Sequence, residues 1–262
     1  NVAERISRVN ERGEGAFIAY TMAGDPDIEM SLEYIKAISA GGADVIELGV
    51  PFSDPVADGP TIQAAANRAL DSCRGLEEVF ELANRAKEEI EVPLILMSYY
   101  NPILQFGKER FLETCSKSGV EGVILPDLPI EEAENYIQLA RESAIETPFL
   151  ATPETDGTRL EKIAGQATGF LYLVARPGTT GAREEVGELT TRTVEYVTSR
   201  VDGDLPVCVG FGLSTPEGVA EVLQAGADGA IVGSAIVRKI AAGEKPARVE
   251  RFVGKLKAGT RS

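Results

Sequence analysis

Val207-Cys208-Val209-Gly210-Phe211-Gly212-Leu213-Ser214 leads into a segment of helical period and then into Ala225-Gly226-Ala227-Asp228-Gly229-Ala230-Ile231-Val232-Gly233-Ser234. Two short apolar runs, Val207–Val209 and Ala230–Val232, are thus joined by a helix, and each is followed directly by glycine. Nearly continuous apolar runs of this length suit strands buried on both faces, as in parallel sheets. The same alternation extends outward through the chain. Ala16–Tyr20, Val45–Leu48, Leu94–Met97, Gly122–Leu125, Pro148–Ala151 and Phe170–Val174 bring the candidate strands to eight. Between them lie amphipathic stretches: Ile28, Leu32, Ile35 and Ile38 share one helical face, as do Val249, Phe252, Val253 and Leu256. Strict alternation predicts parallel strands joined by right-handed crossovers.

A faint internal repeat points the same way. Ala40-Gly41-Gly42-Ala43-Asp44, Ser118-Gly119-Val120-Glu121-Gly122 and Ala225-Gly226-Ala227-Asp228-Gly229 each stand between a helix and the next strand. In each, a glycine suits the helix C-cap and a short loop runs straight into the strand. The 262 residues match the size of one (β/α)8 barrel, about 250 residues. No linker or shift in composition marks a boundary, so residues 1–262 read as a single TIM-barrel domain. A doubly wound open sheet is the runner-up, but it lacks an early G-x-G-x-x-G turn. Two helices are additional to the eight βα units. Val2, Ile6 and Val9 make a small amphipathic helix expected to cover the barrel's bottom. After strand two, Thr61–Leu70 precedes Leu76–Ile90 where one helix would suffice.

Composition narrows the chemistry. No apolar run approaches the ~18 residues of a membrane span, and Asn1–Arg12 is charged throughout without a signal core, so a cytoplasmic protein is expected. The formal net charge of −15 disfavours a general nucleic-acid binder, whose footprint is basic. Cys73, Cys115 and Cys208 are odd in number and far apart, which argues against a disulfide framework and for buried small hydrophobes. The chain has no histidine. That removes Ser-His-Asp and Cys-His nucleophile systems and every His-ligated metal site, and no metal is expected. Proton transfer near neutrality then falls to a carboxylate, lysine, tyrosine or cysteine.

In a barrel the active face lies where strand C-termini meet the βα loops. Gly210-Phe211-Gly212-Leu213-Ser214 follows strand seven, and Gly233-Ser234 opens a helix after strand eight. Paired loops there form the usual phosphate cradle of this fold, with backbone N–H groups and a helix N-terminus facing the anion. The alternative is tight turns that need glycine. After strand two comes Glu47-Leu48-Gly49-Val50-Pro51-Phe52-Ser53-Asp54-Pro55-Val56-Ala57-Asp58-Gly59-Pro60. By alternation Val45 and Glu47 share a face. If Val45 points into the barrel, Glu47 lies near the pocket floor, partly desolvated, with a raised pKa suited to giving and taking a proton. Glu47 could instead be satisfied by an internal salt bridge, and Asp58 could cap the helix beginning at Pro60. Loop six, Arg176-Pro177-Gly178-Thr179-Thr180-Gly181-Ala182-Arg183, suits a mobile lid or a plain solvated loop. Tyr99, Tyr100 and Asn101 end strand three and are compatible with shaping an aromatic pocket.

The run from Glu47 to Gln63 resembles the signature of the tryptophan synthase α-subunit family. So do Gly24-Asp25-Pro26, Arg176-x-Gly-x-Thr180-Gly181, Val209-Gly210-Phe211-Gly212 and Val232-Gly233-Ser234, in order along essentially the whole chain. The resemblance implies a (β/α)8 barrel with an extra N-terminal helix and an extra helix after strand two. It also implies a lyase for the retro-aldol cleavage of indole-3-glycerol phosphate to indole and glyceraldehyde 3-phosphate. It casts Glu47 as the proton shuttle and Asp58 as the holder of the indole N–H. Tyr20, Tyr99 and Tyr172 would line the site, Thr180 would close over it, and Gly181, Gly210, Gly212, Gly233 and Ser234 would bind phosphate. Tyr20 stands where many members have phenylalanine, and Pro177 stiffens loop six. The implied partner is a β subunit in an α2β2 assembly, which would hold pyridoxal phosphate; this chain would carry no cofactor. The implied docking surface is the top face at Asp54-Pro55, Asn101-Pro102 and Asp127-Leu128-Pro129. Another phosphate-binding barrel, such as a sugar-phosphate epimerase or isomerase, would share the glycines but not explain the Asp58 loop. A non-catalytic regulatory subunit would not need both carboxyls.

Overall fold

The computed structural model describes residues 1–174, 183–201, 203–210 and 212–261, with backbone only for 183–189. The chain opens with α1 (Val2–Asn10) and then alternates strand and helix. β1 (Ala16–Met22) and α2 (Ile28–Ala40) precede β2 (Val45–Gly49), α3 (Pro60–Ala69) and α4 (Leu76–Glu89). β3 (Leu94–Met97) is followed by α5 (Tyr100–Phe106) and α6 (Lys108–Lys117), then β4 (Val120–Ile124) and α7 (Glu134–Glu142). β5 (Phe149–Ala151), α8 (Gly157–Ala164), β6 (Leu171–Val174), α9 (Arg183–Thr198), β7 (Val207–Gly210) and α10 (Pro216–Gln224) continue the pattern. β8 (Gly229–Val232), α11 (Ser234–Ala241) and α12 (Pro246–Ala258) complete it.

The strands form one parallel sheet in the order β4-β3-β2-β1-β8-β7-β6-β5. The ring closes between β4 and β5 through one bridge, Gly122 to Glu146. There the Val123 N–H donates to the Glu146 carbonyl and the Glu146 N–H to the Glu121 carbonyl, both at 2.9 Å. The fold is the expected (β/α)8 barrel. Its bottom is plugged as anticipated: Val2 and Ile6 of α1 pack with Ala16, Ile18, Val45, Ile95, Ile124, Phe170, Cys208 and Ile231 inside the barrel. The Val2 and Ala3 N–H groups donate to the Glu146 carboxyl at 2.7 and 3.4 Å, so the residue that closes the sheet also anchors the plug. In the helix-to-strand repeats, Gly42, Gly119 and Gly226 have φ of +100°, +76° and +103°, the left-handed position that ends each helix.

Helices are doubled after β3 and β8 as well as after β2. Gly107, at φ +94°, separates α5 from α6, while Gly243 at φ +69° separates α11 from α12. Asn101 and Pro102 consequently sit in the first turn of α5 and not in a loop. Cys73, Cys115 and Cys208 are buried and unpaired in disulfides, as anticipated. Among the described residues no helix is long and apolar enough to cross a membrane.

Candidate active site

Alternation along β2 decides the floor of the pocket. Val45 lies in the barrel's inner apolar layer, so Glu47 points inward one layer higher, paired with Tyr20 on β1. Glu47 is fully buried. Among the described residues neither of its carboxyl oxygens has a hydrogen-bond partner, so none of them supplies the internal salt bridge that the sequence left open. Burial, and then the nearby charge of Asp58, push its pKa up to about 8. An unpaired buried carboxyl is costly in an interior and is normally satisfied. Protonated near neutrality, this one can give a proton to a bound molecule and then accept one back.

Asp58 arrives from the loop after β2. The N-cap of α3 is Gly59, without a side-chain cap bond, so the Asp58 carboxyl is free for other work. It accepts the Tyr99 hydroxyl proton at 3.0 Å, and the same hydroxyl oxygen accepts the Ala57 N–H at 3.0 Å. Gln63 Nε2 donates to the Asp58 carbonyl at 2.8 Å, and the Phe52 ring lies 5.4 Å from that of Tyr99. Burial raises the Asp58 pKa and the Tyr99 hydrogen bond opposes that rise. Tyr99, read from sequence as pocket wall, thus also holds the loop that carries Asp58.

Two more tyrosines meet at this level. Tyr20 is buried, with its hydroxyl 4.0 Å from Met22 Sδ, and the Tyr172 ring sits 6.2 Å from that of Phe170. The surrounding glycines make space for them. A Cβ at Gly49 would overlap the Tyr20 hydroxyl, one at Gly210 would come within 2.7 Å of the Tyr172 ring, and one at Gly233 within 3.2 Å of Tyr20 Cβ. β7 and β8 pair with Gly210 beside Ile231, two residues before Gly233, and Gly212 stands just beyond the end of β7 at φ +78°. Gly233 caps α11 and Ser234 begins it. The first-turn N–H groups of a helix have no partner within it, so this edge can receive an anion. Thr180 and Gly181, with Arg176, Pro177 and Gly178 of loop six, lie outside the described residues, as does Phe211. Among the described residues no three His, Cys, Asp or Glu side chains are grouped to hold a metal.

The chain matches the family described as tryptophan synthase alpha chain over residues 6–261. A relative of that description from Methanosarcina mazei is 47% identical over 259 residues, covering 98% of this chain and 93% of the relative. One from Methanosarcina barkeri is 46% identical, with 98% and 96% covered. Among solved structures, tryptophan synthase from M. tuberculosis superposes with a TM-score of 0.89 at 30% identity, covering 100% of this chain and 99% of that one. The tryptophan synthase complex from Pyrococcus furiosus gives 0.85 at 37% identity, covering 94% and 98%.

Proposed function

The chain belongs to the tryptophan synthase alpha chain family, lyases of tryptophan biosynthesis that cleave indole-3-glycerol phosphate, and on that premise we propose how its own groups carry the reaction. We read residues 1–262 as one catalytic domain. Glu47, protonated at rest, gives its proton to C3 of the indole ring. The ring becomes an indolenine cation, whose N–H is held and whose charge is offset by the Asp58 carboxylate. Glu47, now ionised, takes the proton of the hydroxyl on the glycerol carbon bonded to C3. The C–C bond breaks, its electron pair returns to the ring, and indole and glyceraldehyde 3-phosphate result with Glu47 protonated again. Tyr20, Tyr99 and Tyr172 wall the ring. Gly210, Gly212, Gly233, Ser234 and Gly181 hold the phosphate, and Thr180 closes over it.

The observation that carries this reading is the buried Glu47 carboxyl with both oxygens unpartnered among the described residues, since such a group is kept where a ligand will meet it. Incubation with indole-3-glycerol phosphate tests it: indole and glyceraldehyde 3-phosphate should appear in equal amounts. Glu47 must begin protonated, so kcat/KM should fall as pH rises through about 8, the Glu47 value. Asp58 must be ionised, so activity should also fall at acid pH. Tyr99→Phe removes a hydrogen bond that lowers the Asp58 pKa. It should shift the acid limb to higher pH and reduce kcat about tenfold, roughly one hydrogen bond's worth. A pH–rate profile of the variant that overlays the wild type would remove Tyr99 from this role.

The partner in this reading is a pyridoxal-phosphate β subunit that consumes indole, in an α2β2 assembly. The expected docking face is the top of the barrel. Val56 is 83% exposed beside Asp54-Pro55, and Leu104 on α5 is 49% exposed. Asp127 stiffens the same face by accepting the Tyr100 N–H at 2.9 Å. Burying two such apolar side chains favours association. Mixing with a cognate β subunit at micromolar concentration should give one complex by size exclusion and faster indole release. Separate peaks with unchanged turnover would count against the partnership.

A further inference from the structure

Arg68, in the last turn of α3, grips Asp25 in the loop after β1. Its Nε donates to Asp25 Oδ1 at 2.9 Å and its terminal nitrogen to Oδ2 at 2.7 Å. Asp25 is 1% exposed and Arg68 about a third exposed. The same end of α3 is tied down again: Ser72 Oγ donates to the Gly24 carbonyl at 3.0 Å, and the Gly24 N–H donates to Ser31 Oγ at 3.2 Å. Neither Asp25 nor Arg68 belongs to the proton transfers above. Yet α3 begins immediately after Asp58, and it packs between Tyr20 and Met22 on one side and Val237 of α11 on the other. The helix that follows Asp58 therefore also leans on the helix that starts the phosphate cradle.

The packed face of α3 consists of Ile62, Ala65, Ala66 and Ala69. Three alanines offer little for a neighbour to interlock with, so apolar packing resists separation of α3 better than sliding or pivoting. A planar two-bond guanidinium–carboxylate fork supplies the missing directional restraint. From these contacts we propose that the Asp25–Arg68 pair is the positioning clamp of the active site, fixing α3 at its far end so that Asp58 stays opposite the indole nitrogen. The inference rests on the reading of Asp58 above. Eight residues of helical rise separate Arg68 from Pro60 at the start of α3, about 12 Å, so a pivot of about 5° at the clamp displaces that end, and the Asp58 loop leading into it, by about 1 Å. Misplacement of that size costs a reaction up to about a hundredfold.

The test is a double-mutant cycle on indole release with the full chain. Arg68→Met should lower kcat about ten- to a hundredfold while leaving inhibition by inorganic phosphate unchanged within twofold. Arg68→Lys, which keeps one charged bond, should recover part of the loss. In an Asp58→Asn background Arg68→Met should have no further effect, because the clamp acts through Asp58. A purely structural residue would multiply its loss in both backgrounds. That additive result, or a folded Arg68→Met and a folded Asp25→Asn with wild-type kcat, overturns the clamp. Failure of the wild-type chain to release indole would instead overturn the functional reading, and the clamp with it.

Discussion

Glu47→Gln should reduce cleavage of indole-3-glycerol phosphate by about ten-thousandfold or more. A single positioned acid or base contributes about 10²–10⁴ in rate, and here one carboxyl serves as both in succession. The amide is isosteric but can neither release nor accept the proton. Binding of inorganic phosphate should persist, because the glycine-lined edge at Gly210 and Gly233 belongs to β7, β8 and α11. Turnover within tenfold of wild type would remove Glu47 from the mechanism. A second measurement reads the same carboxyl without substrate. Its folded pKa is raised to about 8 by burial, whereas in the unfolded chain it ionises near the usual glutamate value. Between those values the folded state holds the extra proton, so this carboxyl makes the protein less stable as pH rises. Relative to Glu47→Gln, the wild type should lose on the order of 3 kcal/mol of unfolding free energy between about pH 4.5 and 7. Parallel stability curves would mean that Glu47 is ionised in the folded protein.

Asp58→Asn should cost about 10²–10³ in kcat, the range for removing one charge-stabilising group from a transition state. Asparagine can still accept the indole N–H through its carbonyl oxygen but supplies no negative charge against the indolenine. The variant has a second signature. The Asp58 charge is one of the two causes that raise the Glu47 pKa, so its loss should move the basic limb of the remaining activity below the wild-type value. A large loss of rate with an unmoved basic limb would place Asp58 too far from Glu47 for the shared role argued here. An equal loss in phosphate binding would make it a binding residue instead.

The strand and helix pattern was legible because buried parallel strands and amphipathic helices have local periods. The runs at Val45–Leu48, Leu94–Met97 and Val207–Val209 became β2, β3 and β7 almost to the residue. The extra helices at Val2 and at Pro60 were equally plain. The doubling after β3 was not, because Tyr100–Phe106 is short and its break depends on the positive φ of Gly107. The inward aim of Glu47 followed from a period of two once Val45 was placed in the core.

By itself, then, the sequence determined the barrel, the shared face of Val45 and Glu47 on β2 and the lack of imidazole chemistry. Those properties depend on composition and on periods of two and 3.6, which any short window of chain carries. Only the tertiary structure decided how the site residues are engaged. Glu47 finds no hydrogen-bond partner among the described residues, Asp58 is held by Tyr99 from 41 residues away, and Arg68 reaches Asp25 across 43. The glycines at Gly49 and Gly210 make room for tyrosine rings on neighbouring strands. Periodicity states which way a side chain points but not what lies opposite. Ionisation, hydrogen bonding and close packing are set by what lies opposite, and the closed barrel brings those partners together.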